Sequence, residues 1–128
     1  MNRSAIGSTF EISLRILLML RELSTSALDE QQIGAIDFIS VYAADFGLLG
    51  YSNYRFSEYP ARKHMVASAL KDLVLDGYVY LHPTSTGYRY SITAAGKAIC
   101  SKLTSNYAEE YIIAVQSVVN VFYNADVE

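Results

Sequence analysis

The chain has 128 residues, of which 52% are hydrophobic and 18% charged, and its formal net charge is −3. This length fits one domain, and 10 Lys and Arg against 13 Asp and Glu argue against a protein that coats nucleic acid through charge alone. The one cysteine, Cys100, excludes an internal disulfide and a multi-cysteine zinc site, and it fits a reducing cytoplasm. Because charge is low for this size, we expect partners to cover part of the apolar surface.

The first predicted helix runs from Thr9 to about Leu23 and has apolar residues on nearly all its faces. Such a helix is expected to be buried by more than one neighbour. Arg15, Arg21 and Glu22 interrupt the apolar stretch, whereas a bilayer span needs about 20 mostly apolar residues. The stretch also lacks the features of a signal peptide, so we expect a soluble, cytoplasmic protein.

Capping residues mark the next two helices. Asp29 is expected to cap the second helix, with Gln32 as its reciprocal partner, and Gly47 to end that helix. The segment 47–60 is rich in Gly, Ser, Asn and Tyr, which is typical of a loop. A third helix is predicted over about residues 61–76, with Pro60 in its first turn.

Two strands and two further helices complete the chain. Residues 78–81 and 88–92 are predicted to be two strands, joined by a turn over 82–87 that contains Pro83 and Gly87. Thr93 is expected to cap a helix that carries Leu103, and apolar residues at helical spacing predict a last helix over about 105–123.

This order of elements predicts an α+β, mostly helical fold: a winged helix-turn-helix with a two-stranded wing and an extended C-terminal helix. The pattern Leu-x-x-Asp-Gly-Tyr at 73–78 supports it, because a glycine allows the sharp turn from helix into wing strand. Within a single winged-helix domain over residues 1–128, about residues 9–103 would form the core. Residues 104–123 would form a C-terminal association helix.

Catalysis is not indicated by any motif. His64 and His82 are the two histidines, and neither sits in a pattern that pairs it with a nucleophile. Paired acids such as Glu109 and Glu110 fall near predicted helix starts, where carboxylates favour the helix dipole. We therefore expect a protein that is not an enzyme and has no metal or cofactor site.

A set of basic side chains around the third helix is the candidate contact for nucleic acid or an acidic partner. Its members are Arg55, Arg62, Lys63, His64, Lys71 and Arg89. In a winged helix the third helix can enter the major groove of DNA. However, Asp72 and Asp76 would repel phosphate, and the predicted wing tip at 83–86 has no Lys or Arg. DNA contact therefore stays open. The favoured interpretation is that these side chains form an exposed helix face or salt bridges to an acidic protein.

A second candidate set consists of aromatic and aliphatic side chains that are expected to contact a partner. These are Tyr51, Tyr54, Phe56 and Tyr59 in the loop, and Tyr111, Val115, Val118 and Phe122 along the last helix. Tyrosine is common in interfaces because its large ring ends in a polar tip. The alternative is that these side chains pack onto the domain's own core. We expect a homodimer or a permanent hetero-complex with one of the terminal helices in the interface.

The sequence also resembles a known family. The resemblance rests on residues 10–18, 36–39, 42, 45–47, 62–64, 70–73, 77–79, 95–97 and 103–107. They are similar to the small winged-helix middle component of bacterial three-component ABC-ATPase systems, the group that includes Lamassu-type anti-phage defence. The resemblance extends from about Phe10 to Phe122, and its most telling piece is the Leu-Thr-Ser-x-Tyr step into the last helix.

The resemblance implies a non-catalytic adaptor that links an SMC/Rad50-like ABC ATPase to an effector, often a nuclease. Weak DNA contact would be made, if at all, as part of the larger complex. The competing hypothesis is a winged-helix DNA-binding transcription regulator.

Overall fold

The computed structural model describes residues 9–46 and 59–122, with the side chains of residues 9–41 and 63–121. Five α-helices lie in these ranges: α1 (Thr9–Glu22), α2 (Glu30–Phe46), α3 (Tyr59–Leu75), α4 (Ala94–Cys100) and α5 (Asn106–Phe122). Three strands accompany them: β1 (Leu28–Asp29), β2 (Val79–Thr84) and β3 (Gly87–Ile92). The prediction of a mostly helical α+β fold is confirmed.

The three strands form one antiparallel sheet in the order β1–β3–β2. In the hairpin, Val79 pairs with Ile92 and Thr84 pairs with Gly87, which takes a φ of 128° at the turn. On its other edge β3 pairs with β1, where Leu28 lies opposite Tyr90. The two strands that the sequence predicted are therefore present as a hairpin, and β1 extends them to a three-stranded sheet. Two-residue β1 is defined by this distant pairing and carries no strand pattern of its own.

Capping interactions fix the helix starts that the sequence predicted. The backbone N–H of Gln32 donates to the Asp29 carboxylate at 2.8 Å, and the backbone N–H of Asp29 donates to the Gln32 side chain at 3.0 Å. This reciprocal pair is the expected capping box. At α4, the backbone N–H of Gly96 donates to the Thr93 hydroxyl at 3.0 Å, so the expected cap is also confirmed.

The turn from α3 into β2 has the geometry that the glycine was expected to provide. Gly77 has a φ of 86°, and its N–H donates to the Val74 carbonyl at 3.1 Å. The N–H of Tyr78 donates to the Leu73 carbonyl at 2.9 Å. These two bonds form a Schellman motif, which satisfies carbonyls at the helix end and directs the chain into the hairpin.

Helix α1 lies at the centre of the core. Its buried side chains are Ile12, Arg15, Ile16, Leu17, Leu18, Met19 and Leu20. It packs against α2, α3, α4, α5 and β3, which confirms that more than one neighbour covers it. Helix α5 packs mainly on α2 and α1. In the part of the chain that the structure describes, no helix has the length and apolar character of a membrane span.

Candidate functional site

The predicted basic set is only partly brought together by the structure. Lys63 and His64 lie exposed near the start of α3, and Lys71 lies exposed two turns further along. At 1.5 Å per residue, Lys63 and Lys71 are about 12 Å apart along the helix axis. Arg55 lies outside the described residues, and the side chain of Arg62, although it belongs to α3, lies outside them as well.

Arg89 belongs to the sheet and not to α3. It lies on β3 and donates from Nη1 to the backbone carbonyl of Ala27 at 2.9 Å. The bond ties β3 to the connection between α1 and β1. Arg89 is also the one Lys or Arg of the hairpin 79–92, so this strand pair offers little positive charge to a phosphate backbone.

The exposed side of α3 carries both signs of charge. Asp72 follows Lys71 directly in the last turn of α3, and Asp76 is the first residue after the helix. Both carboxylates belong to exposed residues. A duplex approaching along α3 would meet these two negative charges near the helix end, as the sequence predicted.

The apolar stripe on α5 faces inward. Tyr111, Val115 and Val118 are 2%, 0% and 4% exposed and belong to the core that α5 shares with α1 and α2. The expectation that these three side chains contact a partner is therefore corrected: they pack inside their own chain. The outer face of α5 instead exposes Ile113 and Val121.

The other members of the predicted partner set lie beyond the described side chains. Tyr51, Tyr54 and Phe56 fall in the range 47–58, which is outside the described residues. Tyr59 and Phe122 belong to the backbone of α3 and α5, but their side chains are outside the described set. The role assigned to these five aromatic residues stays a prediction.

Sequence reasoning missed a buried polar cluster. The Arg15 guanidinium donates from Nε to Asp37 Oδ1 at 2.8 Å and from Nη2 to Asp37 Oδ2 at 3.1 Å. The Tyr111 hydroxyl donates to Asp37 Oδ1 at 2.6 Å, and the Arg15 guanidinium carbon lies 5.9 Å from the centre of the Tyr111 ring. All three residues are at least 98% buried, and they join α1, α2 and α5.

The charges of this cluster shift the titration of its members. Burial raises the pKa of Tyr111 well above its ordinary value, and the neighbouring Asp37 carboxylate raises it further. Burial lowers the pKa of Arg15, but the contact with Asp37 offsets this, and the pKa ends above its ordinary value. Arg15 is thus charged and Tyr111 neutral over the whole physiological range. A signal was present in the sequence, because Arg15 and Asp37 are charges within apolar helical stretches.

Towards the surface the cluster continues through Arg15 Nη1, which lies 3.9 Å from Glu11 Oε2 and 3.4 Å from the Tyr107 hydroxyl. Burial raises the pKa of Tyr107. The arrangement holds three helices in register. Because its members bind one another across α1, α2 and α5, we assign the cluster a structural role.

Reactive and metal-ligating groups are dispersed in the described part of the chain. No three of its His, Cys, Asp and Glu side chains come together to hold a metal ion. Cys100 is buried at the end of α4, and burial raises the pKa of its thiol. It behaves as a small core residue, as its apolar sequence context predicted.

Comparison with known proteins assigns the family. The family model for the ABC-three component (ABC-3C) system middle component 2 matches residues 5–128. Comparison with curated proteins and with solved structures gives no significant match. Because the family model covers nearly the whole sequence, the chain belongs to the middle component 2 family of ABC-three component systems.

Proposed function

We propose that this chain is a non-catalytic adaptor subunit that links an SMC/Rad50-like ABC ATPase to a nuclease effector in a bacterial anti-phage defence complex of the Lamassu type. The family match over residues 5–128 carries the proposal, because a middle component of a three-component system acts together with the other two. This chain would then act by binding the other two components through its surface, without an active site.

We infer that the described elements form the winged helix that the sequence predicts. In chain order the elements are α1, β1, α2, α3 and the hairpin β2–β3, and β3 lies between the other two strands. In winged-helix domains, a first strand is typically followed by two helices and a hairpin. The first strand then pairs with the last strand of that hairpin. We infer that β2–β3 is the wing and α3 the helix that a DNA-binding relative would place in the major groove.

The exposed apolar side chains support binding to other proteins. Phe10 and Leu75 are each 72% exposed, and Ile113 is 61% exposed. Full burial of one such side chain contributes about 1.5–3 kcal/mol, so partners that cover them would gain substantial binding energy.

Coexpression with the other two components of the same system tests the proposal. We expect a tagged form of this chain to retain both through size-exclusion chromatography, and mass spectrometry to identify them. A complex of the other two that assembles without this chain would contradict the adaptor role. The isolated chain should show no turnover of nucleotides or nucleic acid above background, and removing it should abolish protection against phage.

A DNA-binding regulator is the second candidate, and exposed Lys63, His64 and Lys71 favour it. Fluorescence anisotropy with duplex DNA over a series of salt concentrations separates the two functions. The adaptor proposal expects weak, sequence-independent binding that disappears as salt rises. Tight binding to one palindromic site at physiological salt would favour the regulator instead.

A further inference from the structure

A groove between α1, α3 and α4 combines an apolar interior with negative charge. It encloses about 460 Å³, and its apolar walls are formed by Leu14, Leu17, Leu73, Tyr78 and Ile99. Phe10 lies on the edge of the groove with 72% of its surface exposed. Asp72 and Asp76 also line it, whereas no Lys, Arg or His among the described side chains does.

The two carboxylates lie where their own helix disfavours them. Asp72 is in the last turn of α3 and Asp76 directly follows the helix, so both face the negative end of the helix dipole. They are also four residues apart, a spacing at which like charges repel. The last turn of α3 has no basic residue, and neither carboxylate forms a salt bridge with any side chain of residues 9–41 and 63–121. A cation supplied from outside would relieve both unfavourable interactions.

We propose that this groove docks an amphipathic basic segment of another component of the three-component system. The inference rests on the proposed adaptor function and names the surface and the chemistry of its partner. An apolar side chain of the segment would enter between Leu14 and Leu73 and cover Phe10. A Lys or Arg about one helical turn away would pair with Asp72 and Asp76. This is the common mode in which an amphipathic helix binds a groove through spaced apolar anchors.

The same features separate this partner from a nucleic acid. Phosphate would be repelled by Asp72 and Asp76, and the described side chains that line the groove include no Lys or Arg to follow a nucleic-acid backbone. A basic protein segment satisfies the charge and the apolar surface together. The groove therefore selects for a protein partner through complementary charge, which steers association and suppresses partners of the wrong sign.

The decisive experiment measures affinity for the coexpressed ATPase and effector components with charge-reversed forms of the full chain. We expect Asp72→Lys together with Asp76→Lys to weaken binding by at least about tenfold. Because the substitutions remove repulsion at the end of α3, the melting temperature should stay the same or rise. The matched control is Glu109→Lys together with Glu110→Lys, which makes the same charge change on exposed positions of α5. It should bind like the wild type, while its melting temperature falls because the replaced carboxylates favour the helix dipole at the start of α5.

The apolar half of the groove is tested by Phe10→Ser, with Tyr88→Ser as the matched exposed aromatic control on the hairpin. We expect the first to weaken binding and the second to leave it unchanged.

The charge is tested without a change of side-chain shape by Asp72→Asn together with Asp76→Asn. This variant should bind less tightly, with a flatter salt dependence. Wild-type affinity in the groove variants, or equal losses in the controls, would overturn the groove proposal while the complex itself still forms. Failure of the wild-type chain to bind either component would instead overturn the adaptor function.

A photo-crosslinking benzophenone at position 10 identifies what lies in the groove of the assembled complex. We expect a crosslink to a segment of the ATPase or effector component in which apolar residues are interspersed with Lys or Arg. A crosslink to DNA, to a second copy of this chain or to an acidic segment would overturn the proposal.

Discussion

Arg15 on α1 and Asp37 on α2 meet in a two-point contact at the centre of the helical core, with N–O distances of 2.8 and 3.1 Å. Both side chains are removed from water, which costs several kcal/mol for each ion unless partners satisfy it. Here the planar guanidinium fits the carboxylate, and the Tyr111 hydroxyl occupies a further acceptor site on Asp37. The contact therefore fixes how α1, α2 and α5 are placed relative to one another.

Removing one member of this pair should destabilise the chain strongly. Asp37→Asn leaves a buried guanidinium without its counter-ion, and we expect the free energy of unfolding to fall by about 3–5 kcal/mol. Urea unfolding followed by circular dichroism measures the change. Arg21→Gln is the control, because Arg21 pairs with Glu22 at 3.5 Å near the surface and such pairs contribute about 0–1 kcal/mol.

Replacing the whole cluster by apolar residues gives the complementary result. The triple variant Arg15→Met, Asp37→Leu and Tyr111→Phe should recover most of the stability lost by Asp37→Asn, since it leaves no unpaired buried charge. A triple variant that is less stable than Asp37→Asn would show that the cluster stabilises the fold beyond the cost of burying its charges.

Tyr111 gives the cluster a pH dependence on the alkaline side. Its pKa is raised in the folded chain, so from about pH 10 upwards the unfolded chain releases the phenol proton while the folded chain keeps it. The unfolded state then binds fewer protons, and stability falls as pH rises, by at most about 1.4 kcal/mol per pH unit for this group. Below pH 10 both states are protonated and the contribution is constant.

Tyr111→Phe tests this dependence. It removes a hydrogen bond to a buried carboxylate, so stability at neutral pH should fall by about 1.5–3 kcal/mol. Above pH 10 the decline should be less steep than in the wild type, although not flat, because burial also raises the pKa of Tyr90 and Tyr107. Equal slopes for the two proteins between neutral pH and pH 11 would contradict the assignment. Denaturant midpoints measured over a pH series give the comparison.

Local signals in the sequence predicted most of the fold. The Asp29–Gln32 box and the Thr93 cap each act over three residues, so residue types at a fixed spacing reveal them. Strand β1 could not be found in this way, because its two residues become a strand only by pairing with Arg89 and Tyr90, which lie about sixty residues further along.

For the candidate sites as well, sequence spacing predicted the local features but not the contacts between elements that are distant in the sequence. Helical periodicity correctly grouped Tyr111, Val115 and Val118 on one face, but periodicity does not say whether a face meets its own domain or a partner. Arg15 was visible as a charge in an apolar helix, yet its partner on another helix depends on how α1 and α2 pack. The groove with Asp72 and Asp76 likewise exists only where α1, α3 and α4 come together.

Two glycines in helices should respond to alanine in opposite directions. At Gly96 a Cβ atom would overlap the Tyr78 carbonyl oxygen and lie 2.7 Å from Ile92 Cγ1, so α4 would have to move away from the hairpin. At Gly34 in α2 the nearest atom, Val66 Cγ1, is 4.0 Å away, an ordinary contact. We expect Gly96→Ala to lower the free energy of unfolding by about 1–3 kcal/mol and Gly34→Ala to raise it by about 0.5–1 kcal/mol. Thermal unfolding of both variants measures this, and a stabilised Gly96→Ala protein would contradict the close packing of α4 on the hairpin.

Substitutions on the two faces of α5 should separate folding from association. Val118 is 4% exposed, so Val118→Asp places an unpaired charge in the core, and we expect the chain to lose more than about 4 kcal/mol or fail to fold. Ile113 is 61% exposed on the outer face, so Ile113→Asp should change the free energy of unfolding by no more than about 0.5 kcal/mol.

If α5 takes part in a homodimer or a hetero-complex, it must do so through this outer face, because the inner stripe is already covered. We therefore expect Ile113→Asp combined with Val121→Asp to shift sedimentation of the assembly towards smaller species while the circular dichroism spectrum stays that of the wild type. The exposed polar neighbour Ser117, substituted by Asp, is the control for the added charge and should leave the assembly intact. An assembly that survives the double substitution would place the interface elsewhere on the chain, whereas a loss of helical signal would mean that Ile113 and Val121 contribute to the core.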